Sequence, residues 1–261
     1  MRLDAELVRR GLARSREQAA ELIAQGRVSV SGQVAVKGAT GVAADTPVVV
    51  RPLRAGPDYV SRGAQKLVSA LEVLPVPISG RRCLDAGAST GGFTDVLLRR
   101  GAREVLAVDV GYGQIDWSLR TDARVRVMDR TNVRHLTLDD IGEPVNLAVG
   151  DLSFISLELV LPALAGVSRD DADMLLMVKP QFEVGKQRVG KGGVVREPAL
   201  RAAAVETVGR AAADLGWGAA GVCASGLPGP AGNVEYFLWL RRDARPLRGD
   251  DVRRAVEDGP R

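Results

Sequence analysis

The spacing of apolar residues differs between the two ends of the chain. Apolar positions recur at helical intervals in residues 3–8 and again in residues 19–23, and a glycine follows each run. Ser15 is placed to cap the second helix. The stretch RVSVSGQVAV then alternates apolar and polar positions on either side of Ser31 and Gly32, which predicts a hairpin. The pattern therefore predicts a small α+β domain over residues 1–50.

From about residue 80 onward the pattern alternates between strands and helices. Five apolar runs read as strands: RCLDAG, EVLAVDVG, RVRVMD, VNLAVGD and DMLLMVK. Helical segments separate them, which is typical of a parallel sheet covered on both faces. GAAGVCASGL and NVEYFLWLRR follow as an antiparallel pair, because only a Pro/Gly loop joins them. We expect an α/β, Rossmann-like domain with a mostly parallel seven-stranded sheet over residues 61–243, a linker at 51–60 and a polar C-terminal tail at 244–261.

Composition excludes several classes of protein. The 261 residues contain no apolar run near the roughly 20 needed to span a bilayer and no visible secretory signal. Cys83 and Cys223 are far apart, so we expect reduced cysteines in a cytoplasmic protein. The single histidine leaves almost no material for a metal cluster or a Ser-His-Asp triad. We expect no metal and no membrane partner; the oligomeric state is not indicated.

Positive charge is concentrated at the front of the chain. Residues 1–66 carry 11 Lys and Arg against 6 Asp and Glu, whereas the remainder carries 25 against 26. This asymmetry favours a polyanion-binding module attached to a nearly neutral body, although a merely solvated basic surface would look the same.

The stretch LDAGASTGGFTD, residues 84–95, places glycines where a buried strand ends and a helix begins. In a parallel sheet, this is where ligands bind. The turn does not match GxGxxG, so on its own it is also consistent with a tight strand–helix connection. Its candidate cofactor-binding residues are Asp85, Gly87, Ala88, Ser89, Thr90, Gly91, Gly92 and Phe93.

Aspartates at successive strand ends support a ligand at this edge. Asp85, Asp109, Asp129 and Asp151 each lie at or near the end of a predicted strand. Asp109, followed by Val110, is placed to accept hydrogen bonds from a ribose, and Asp129 to meet an adenine amino group. No Walker lysine follows the glycines. S-adenosylmethionine fits better than NAD, because it is cationic and has no pyrophosphate.

Two resemblances account for most of the chain. RLDAELVRRGLARSREQAAELIAQGRVSVSGQVAVKGA resembles the S4 RNA-binding domain, and LDAGASTGGFTD with AVDVG and VGDLSF resembles the FtsJ/RrmJ-like class I methyltransferases. Both in this order resemble the TlyA family, which includes proteins named haemolysins and methyltransferases of 16S and 23S ribosomal RNA. The resemblance implies S-adenosylmethionine-dependent 2′-O-methylation of cytidine ribose in 16S and/or 23S ribosomal RNA, with ribosomal subunits as partners.

The FtsJ-like resemblance also implies a Lys-Asp-Lys-Glu tetrad. The matching positions are Lys66, Asp151, Lys179 and Glu235. A ribose 2′-hydroxyl is a poor nucleophile, so it must be partly deprotonated and placed in line with the methyl group. We expect Lys179 to activate the hydroxyl, with a pKa lowered by burial and neighbouring charge. Lys66 would assist electrostatically, while Asp151 and Glu235 orient the amines.

RNA contacts are expected on two surfaces. The S4 resemblance assigns Arg2, Arg14, Arg16 and Lys37 to its RNA face. Residues 182–198 form a glycine-rich basic segment whose candidate phosphate-binding residues are Lys186, Arg188, Lys191 and Arg196. Phe154, Phe182 or Tyr112 is available to stack on a displaced base.

Three other functions remain open on the sequence. A nicotinamide-dependent oxidoreductase would use the same sheet but predicts a better GxGxxG turn. A haemolysin or cytolysin predicts secretion and a membrane-active segment. A non-catalytic RNA-binding module would keep the basic front domain without needing the tetrad.

Overall fold

The computed structural model describes residues 1–24, 26–43, 45–50, 59–190 and 192–259. The chain divides into two compact units, residues 1–58 and 59–261. Most of the predicted linker, residues 51–58, lies outside the described residues.

The first unit is built from two helices and a small antiparallel sheet. Its elements are α1 (Leu3–Arg9), α2 (Arg16–Ala24), β1 (Val28–Val30), β2 (Gln33–Val34) and β3 (Val48–Val50). The sheet order is β2-β1-β3. The predicted helices and hairpin are present, and β3 is a strand that the sequence pattern did not predict.

Local chemistry explains these elements. Ser31 and Gly32 both have positive φ, 50° and 83°, as a two-residue hairpin turn with the twist of its strands requires. The Gln18 amide donates to Ser15 Oγ at 3.1 Å, which is the predicted N-cap of α2. The apolar helix positions are buried in a core of their own; these are Leu3, Leu7, Ala19, Leu22 and Ile23.

The second unit alternates helices and strands. In chain order its elements are α3 (Gly63–Val73), β4 (Arg82–Ala86), α4 (Gly92–Arg99), β5 (Glu104–Val108), α5 (Trp117–Arg120), β6 (Val125–Met128), α6 (Leu138–Ile141), β7 (Val145–Gly150), α7 (Leu161–Val167), β8 (Ser168–Val178), α8 (Pro180–Glu183), α9 (Pro198–Asp214), β9 (Gly218–Ala224), β10 (Tyr236–Arg241) and α10 (Gly249–Glu257).

The sheet of this unit contains seven of the described strands, in the order β6-β5-β4-β7-β8-β10-β9. The strands from β6 to β8 are parallel, and β10 runs antiparallel to both β8 and β9. The predicted α/β, mostly parallel seven-stranded sheet is confirmed. The strand order reverses between β4 and β7, the position at which open sheets form a ligand crevice.

Apolar residues cover both faces of the sheet. Leu84, Leu106 and Leu176 face one layer, while Cys83, Val105 and Leu175 face the other. Successive residues of a strand point to opposite faces, so strands that are apolar at every position must be covered twice. This double burial holds the strand ends, and hence the site, in place.

The C-terminal residues differ from the expected polar tail. They contain helix α10, in which Val252 and Ala255 are buried against the sheet domain. Only the positions on one side of this helix are apolar, and the surrounding charges hid that spacing in the sequence.

The start of the second unit is attached to α4. The Val60 amide donates to Asp95 Oδ2 at 2.9 Å, and the Arg99 guanidinium lies 4.7 Å from the centre of the Tyr59 ring. Residues 59 and 60, expected in the linker, therefore belong to the sheet domain.

Candidate active site

One end of the sheet collects the functional side chains. The parallel strands β4, β7 and β8 present their carboxyl ends there, and Asp151 and Lys179 directly follow β7 and β8. Because β10 runs the opposite way, its first residues lie at the same end, where Tyr236 pairs with Val178. Glu235 directly precedes β10. We call this edge of the sheet the rim.

The period of the strands places three of these residues on one face. Asp151, Lys179 and Glu235 each lie two residues beyond a buried member of a single apolar layer, namely Val149, Met177 and Phe237. Side chains two residues apart in a strand point the same way. The three side chains therefore share the face that is packed against α3.

Lys179 is held by two oxygen atoms. Its Nζ lies 2.6 Å from Asp151 Oδ1 and donates to Ser153 Oγ at 2.8 Å. The residue is 7% exposed. Sequence reasoning missed Ser153, although it stands only two positions after Asp151 in the same VGDLSF motif.

Lys66 and Glu235 form the second ion pair. Lys66 Nζ, from α3, lies 2.5 Å from Glu235 Oε2 and 3.9 Å from Met177 Sδ. The side chains are 12% and 1% exposed. Met177 is two residues before Lys179 on β8, so both amines lie on the same side of the sheet at the end of this strand.

The glycines of the 84–95 turn are required by the packing of the protein itself. Gly91 has a φ of 95°, and a Cβ there would overlap the Leu119 side chain. A Cβ on Gly92 would lie 2.9 Å from the Ala64 amide nitrogen. These two glycines therefore allow α4 to begin in close contact with the Leu119 side chain and the Ala64 backbone. This packing requires glycine whichever ligand the turn binds.

Asp85 is a fully buried carboxyl in β4. Its Oδ2 accepts from Thr94 Oγ1 at 2.7 Å, while its Oδ1 has no hydrogen-bond partner among the described residues. Burial is the main cause that raises the pKa of Asp85 to about 7, and the charges of Asp151 and Asp109 contribute in the same direction. A nearby cation would favour its ionised form.

Asp109 connects two turns at the rim. Its carboxylate accepts from the amides of Ser89 at 2.8 Å and Gly111 at 2.7 Å. Each carboxylate oxygen has a second lone pair for a ligand hydroxyl. Val110, the next residue, is 69% exposed. Asp129 is engaged by Arg120, whose Nη2 lies 2.6 Å from its Oδ2.

The other predicted turn residues differ in their exposure. Ser89 and Thr90 are exposed at the turn, whereas Ala88 is 6% exposed. The Phe93 side chain is 3% exposed and stacks on Phe237 with ring centres 6.0 Å apart. The structure therefore places the Phe93 ring in the core, where it supports the turn from below.

Comparison with known proteins identifies both units. Residues 59–242 match the FtsJ-like methyltransferase model, and residues 1–42 match the S4 domain. The 16S/23S rRNA (cytidine-2′-O)-methyltransferase TlyA of Mycobacterium tuberculosis is 60% identical over 99% of this chain and 98% of that protein. The chain belongs to the TlyA family of FtsJ-like methyltransferases.

Two further proteins are similar to this chain. The 23S rRNA (cytidine-2′-O)-methyltransferase TlyA of Campylobacter jejuni is 37% identical over 69% of this chain and 70% of that protein. A solved structure from Streptococcus thermophilus, whose name carries the word hemolysin, is 37% identical with a TM-score of 0.79, covering 98% of this chain and 94% of that chain.

The rim of the FtsJ-like domain suits the expected cofactor, S-adenosylmethionine. The unpartnered Oδ1 of the buried Asp85 and the carboxylates of Asp109 and Asp151 suit a cationic sulfonium compound. Asp109 faces a turn whose amides it already binds, which is the position expected for a ribose acceptor.

Two of the predicted RNA residues of the S4 domain lie around the carboxylate of Asp4. Asp4 Oδ2 lies 2.9 Å from Arg2 Nη2 and 3.1 Å from Arg16 Nη2. Hydrogen bonds from these guanidinium groups are the main reason that the pKa of Asp4 is far below its usual value. Arg14 and Lys37 are exposed.

The basic segment of the FtsJ-like domain is partly described. Arg188 and Arg196 are exposed, whereas Lys191 and the side chain of Lys186 lie outside the described residues. Phe154 is 91% exposed with a φ of 65°, and its ring centre lies 5.3 Å from that of Phe182.

Within the described ranges, no three His, Cys, Asp or Glu side chains are grouped so that they could hold a metal ion. In the same ranges, no helix has both the length and the apolar character needed to cross a membrane. Cys83 and Cys223 are both free thiols.

Proposed function

We propose that this protein is an S-adenosylmethionine-dependent 2′-O-methyltransferase that acts on cytidine ribose in ribosomal RNA. The observation that carries the proposal is the pairing of Lys179 with Asp151 and of Lys66 with Glu235 on one face of the rim. The 60% identity to a methyltransferase named for this reaction supports the choice of substrate.

The cofactor-binding residues follow from the rim. S-adenosylmethionine, when bound, supplies the electrophilic methyl group. Asp109 would accept from its ribose hydroxyls, the exposed Val110 would pack against its adenine, and the adenine amino group would compete with Arg120 as a donor to Asp129. Ionised Asp85 would compensate its positive charge.

The amines would act on the sugar oxygen. The Lys179 amine donates to Ser153 Oγ and forms an ion pair with Asp151 Oδ1, and these two contacts would orient it at the rim. Lys179 would act as the base: its amine would accept the proton of the 2′-hydroxyl while that oxygen bonds to the methyl carbon and the methyl–sulfur bond breaks. Lys66 would add a second positive charge, with Glu235 holding its amine in place.

The two basic surfaces would grip the RNA. Arg2, Arg14, Arg16 and Lys37 would bind phosphates on the S4 domain, and Arg188 and Arg196 beside the rim. The exposed ring of Phe154 suits stacking on a base turned out of its helix, which would bring the ribose within reach. Because the substrate would be ribosomal RNA in the 16S and/or 23S molecule, we place the protein in the cytoplasm with ribosomal subunits as its partners.

The other readings have less support. The chain belongs to a methyltransferase family, and no feature of the described residues requires a nicotinamide-dependent oxidoreductase. The haemolysin reading rests on the names of relatives alone.

The test is a methyl-transfer assay on separated 30S and 50S subunits from cells lacking the enzyme. Labelled S-adenosylmethionine should transfer its methyl group, and mass spectrometry of RNA fragments should place it on a cytidine ribose. Lys179→Ala should lose at least about 100-fold in rate, while calorimetry finds cofactor binding retained. The matched control is Arg169→Ala, since Arg169 is half-exposed at the opposite end of β8 and should keep its rate. A full rate in Lys179→Ala, or a methyl group on a base, would contradict the proposal.

A further inference from the structure

Asn233 joins two loops that each border a tetrad residue. We define the cover loop as residues 225–234, which lead from β9 to Glu235. The basic loop is the described part of residues 184–197, which lead from α8, the short helix that directly follows Lys179, to α9. Asn233 belongs to the cover loop and is 3% exposed.

Both ends of the Asn233 amide hold the basic loop. Its Oδ1 accepts from the Val195 amide at 2.9 Å, and its Nδ2 donates to the Gly193 carbonyl at 2.8 Å. Val195 is itself 3% exposed. The side chain at this position must offer both an acceptor and a donor, because it binds one backbone N–H and one backbone carbonyl.

The cover loop lies directly against Glu235. A Cβ on Gly229 would be 2.6 Å from Glu235 Oε1, so this backbone approaches the carboxylate as closely as glycine permits. At its other end the Gly226 amide donates to Ser69 Oγ at 3.1 Å, on the helix that carries Lys66. The loop thus lies against Glu235 and is hydrogen-bonded to the helix that carries Lys66.

We propose that Asn233 is a positioning residue. It connects the basic loop, which would bind RNA phosphates, to the cover loop beside the Lys66–Glu235 pair. The inference rests on the proposed function for its substrate. Arg188 and Arg196 flank the anchored backbone at residues 193–195, so the tether limits where their guanidinium groups can reach. RNA phosphates bound by these two arginines would therefore affect, through Asn233, the cover loop that lies against Glu235.

The first measurement tests the tether without RNA. Trypsin cleaves after exposed arginines, and Arg188 and Arg196 lie on either side of the anchor. Asn233→Asp keeps the shape and the acceptor but sets a carboxylate oxygen against the Gly193 carbonyl. We expect cleavage in the basic loop to accelerate roughly tenfold, the ratio that corresponds to about 1.4 kcal/mol. Ser69→Ala is the matched control, because it frees the other end of the cover loop and should leave this cleavage rate unchanged.

A second measurement keeps the tether testable if the variant folds poorly. In the wild-type protein, the buried Val195 amide should exchange its hydrogen at least about tenfold more slowly than the exposed Gly192 amide. Equal exchange rates, or unchanged trypsin cleavage in Asn233→Asp, would overturn the tether.

The third measurement tests the positioning role. For Asn233→Asp we expect the KM for isolated ribosomal subunits to rise roughly tenfold while the Kd for S-adenosylmethionine stays the same. The affinity for subunits should also depend less steeply on salt concentration, by the amount that corresponds to the loss of about one or two phosphate contacts. Faster cleavage with unchanged KM and salt dependence would refute the role. If the wild-type protein methylates no subunit, the proposed function fails, and the salt dependence and the protease still decide the tether.

Discussion

Replacing both partners of the Lys66–Glu235 pair by methionine should separate stability from catalysis. The pair is 2.5 Å apart, and its side chains are 12% and 1% exposed. Removing one partner of a buried ion pair typically costs about 3–5 kcal/mol, because the other charge is left without compensation. Lys66→Met leaves the deeply buried Glu235 carboxylate without its cation and should destabilise the protein by about that much. Glu235→Met should cost less, since the Lys66 amine is nearer to solvent.

The double variant should recover most of this loss. Two methionines of similar length beside Met177 leave no buried charge, so the free energy of unfolding should return to within about 1 kcal/mol of wild type. For a domain of this size, the single variants should melt roughly 10 °C lower. Urea unfolding followed by tryptophan fluorescence gives the coupling energy, expected to be about 3 kcal/mol.

Activity should behave differently from stability in the same variants. All three should be nearly inactive in methyl transfer, because the double variant restores packing but does not restore the Lys66 amine and its Glu235 partner to the rim. If the double variant regained activity, the pair would be purely structural. If it stayed as unstable as the singles, the assumption that the pair is desolvated would be wrong.

Three other predictions follow from single contacts. Because burial raises the pKa of Asp85 to about 7 from an ordinary 3.8, the folded state keeps a proton that the unfolded state releases. The free energy of unfolding of the cofactor-free protein should therefore fall as the pH rises from about 4 through 7, by at most about 4 kcal/mol. Melting curves recorded over this pH range should show that Asp85→Asn lacks this pH dependence. Ser153→Ala removes an acceptor from Lys179 and should lower kcat roughly tenfold, the equivalent of about one hydrogen bond; an unchanged kcat with equal cofactor affinity would exclude this role. Gly229→Ala should push Glu235 aside, lowering the melting temperature by several degrees for about 1–3 kcal/mol of overpacking, and an unaltered melting temperature would show that the loop yields freely.

Much of the architecture could be read from local patterns. Strands apolar at every position had to lie in a sheet covered on both faces, and this holds for Leu84 and Cys83 as neighbours facing opposite layers. The Ser15 cap and the Ser31–Gly32 turn depend only on residues a few positions apart. Polar residues hid the α10 helix, because its apolar positions are few.

The members of the tetrad were predicted from a family resemblance, and their roles remain a prediction. That Asp151, Lys179 and Glu235 share one face of the sheet came from the structure, which places Val149, Met177 and Phe237, two residues away from them, in one apolar layer. That Lys66 meets Glu235, 169 residues away in the chain, required the strand order, in particular the insertion of β10 between β8 and β9.

The sequence by itself determined the local elements and the double burial of the sheet, since these depend on periodicities within a few residues. Tertiary structure alone decided the contacts between distant segments: Ser153 on Lys179, Gly229 against Glu235 and Asn233 on Gly193 and Val195. Such contacts depend on strand order and on the meeting of two loops, and no spacing along one segment encodes which other segment packs against it.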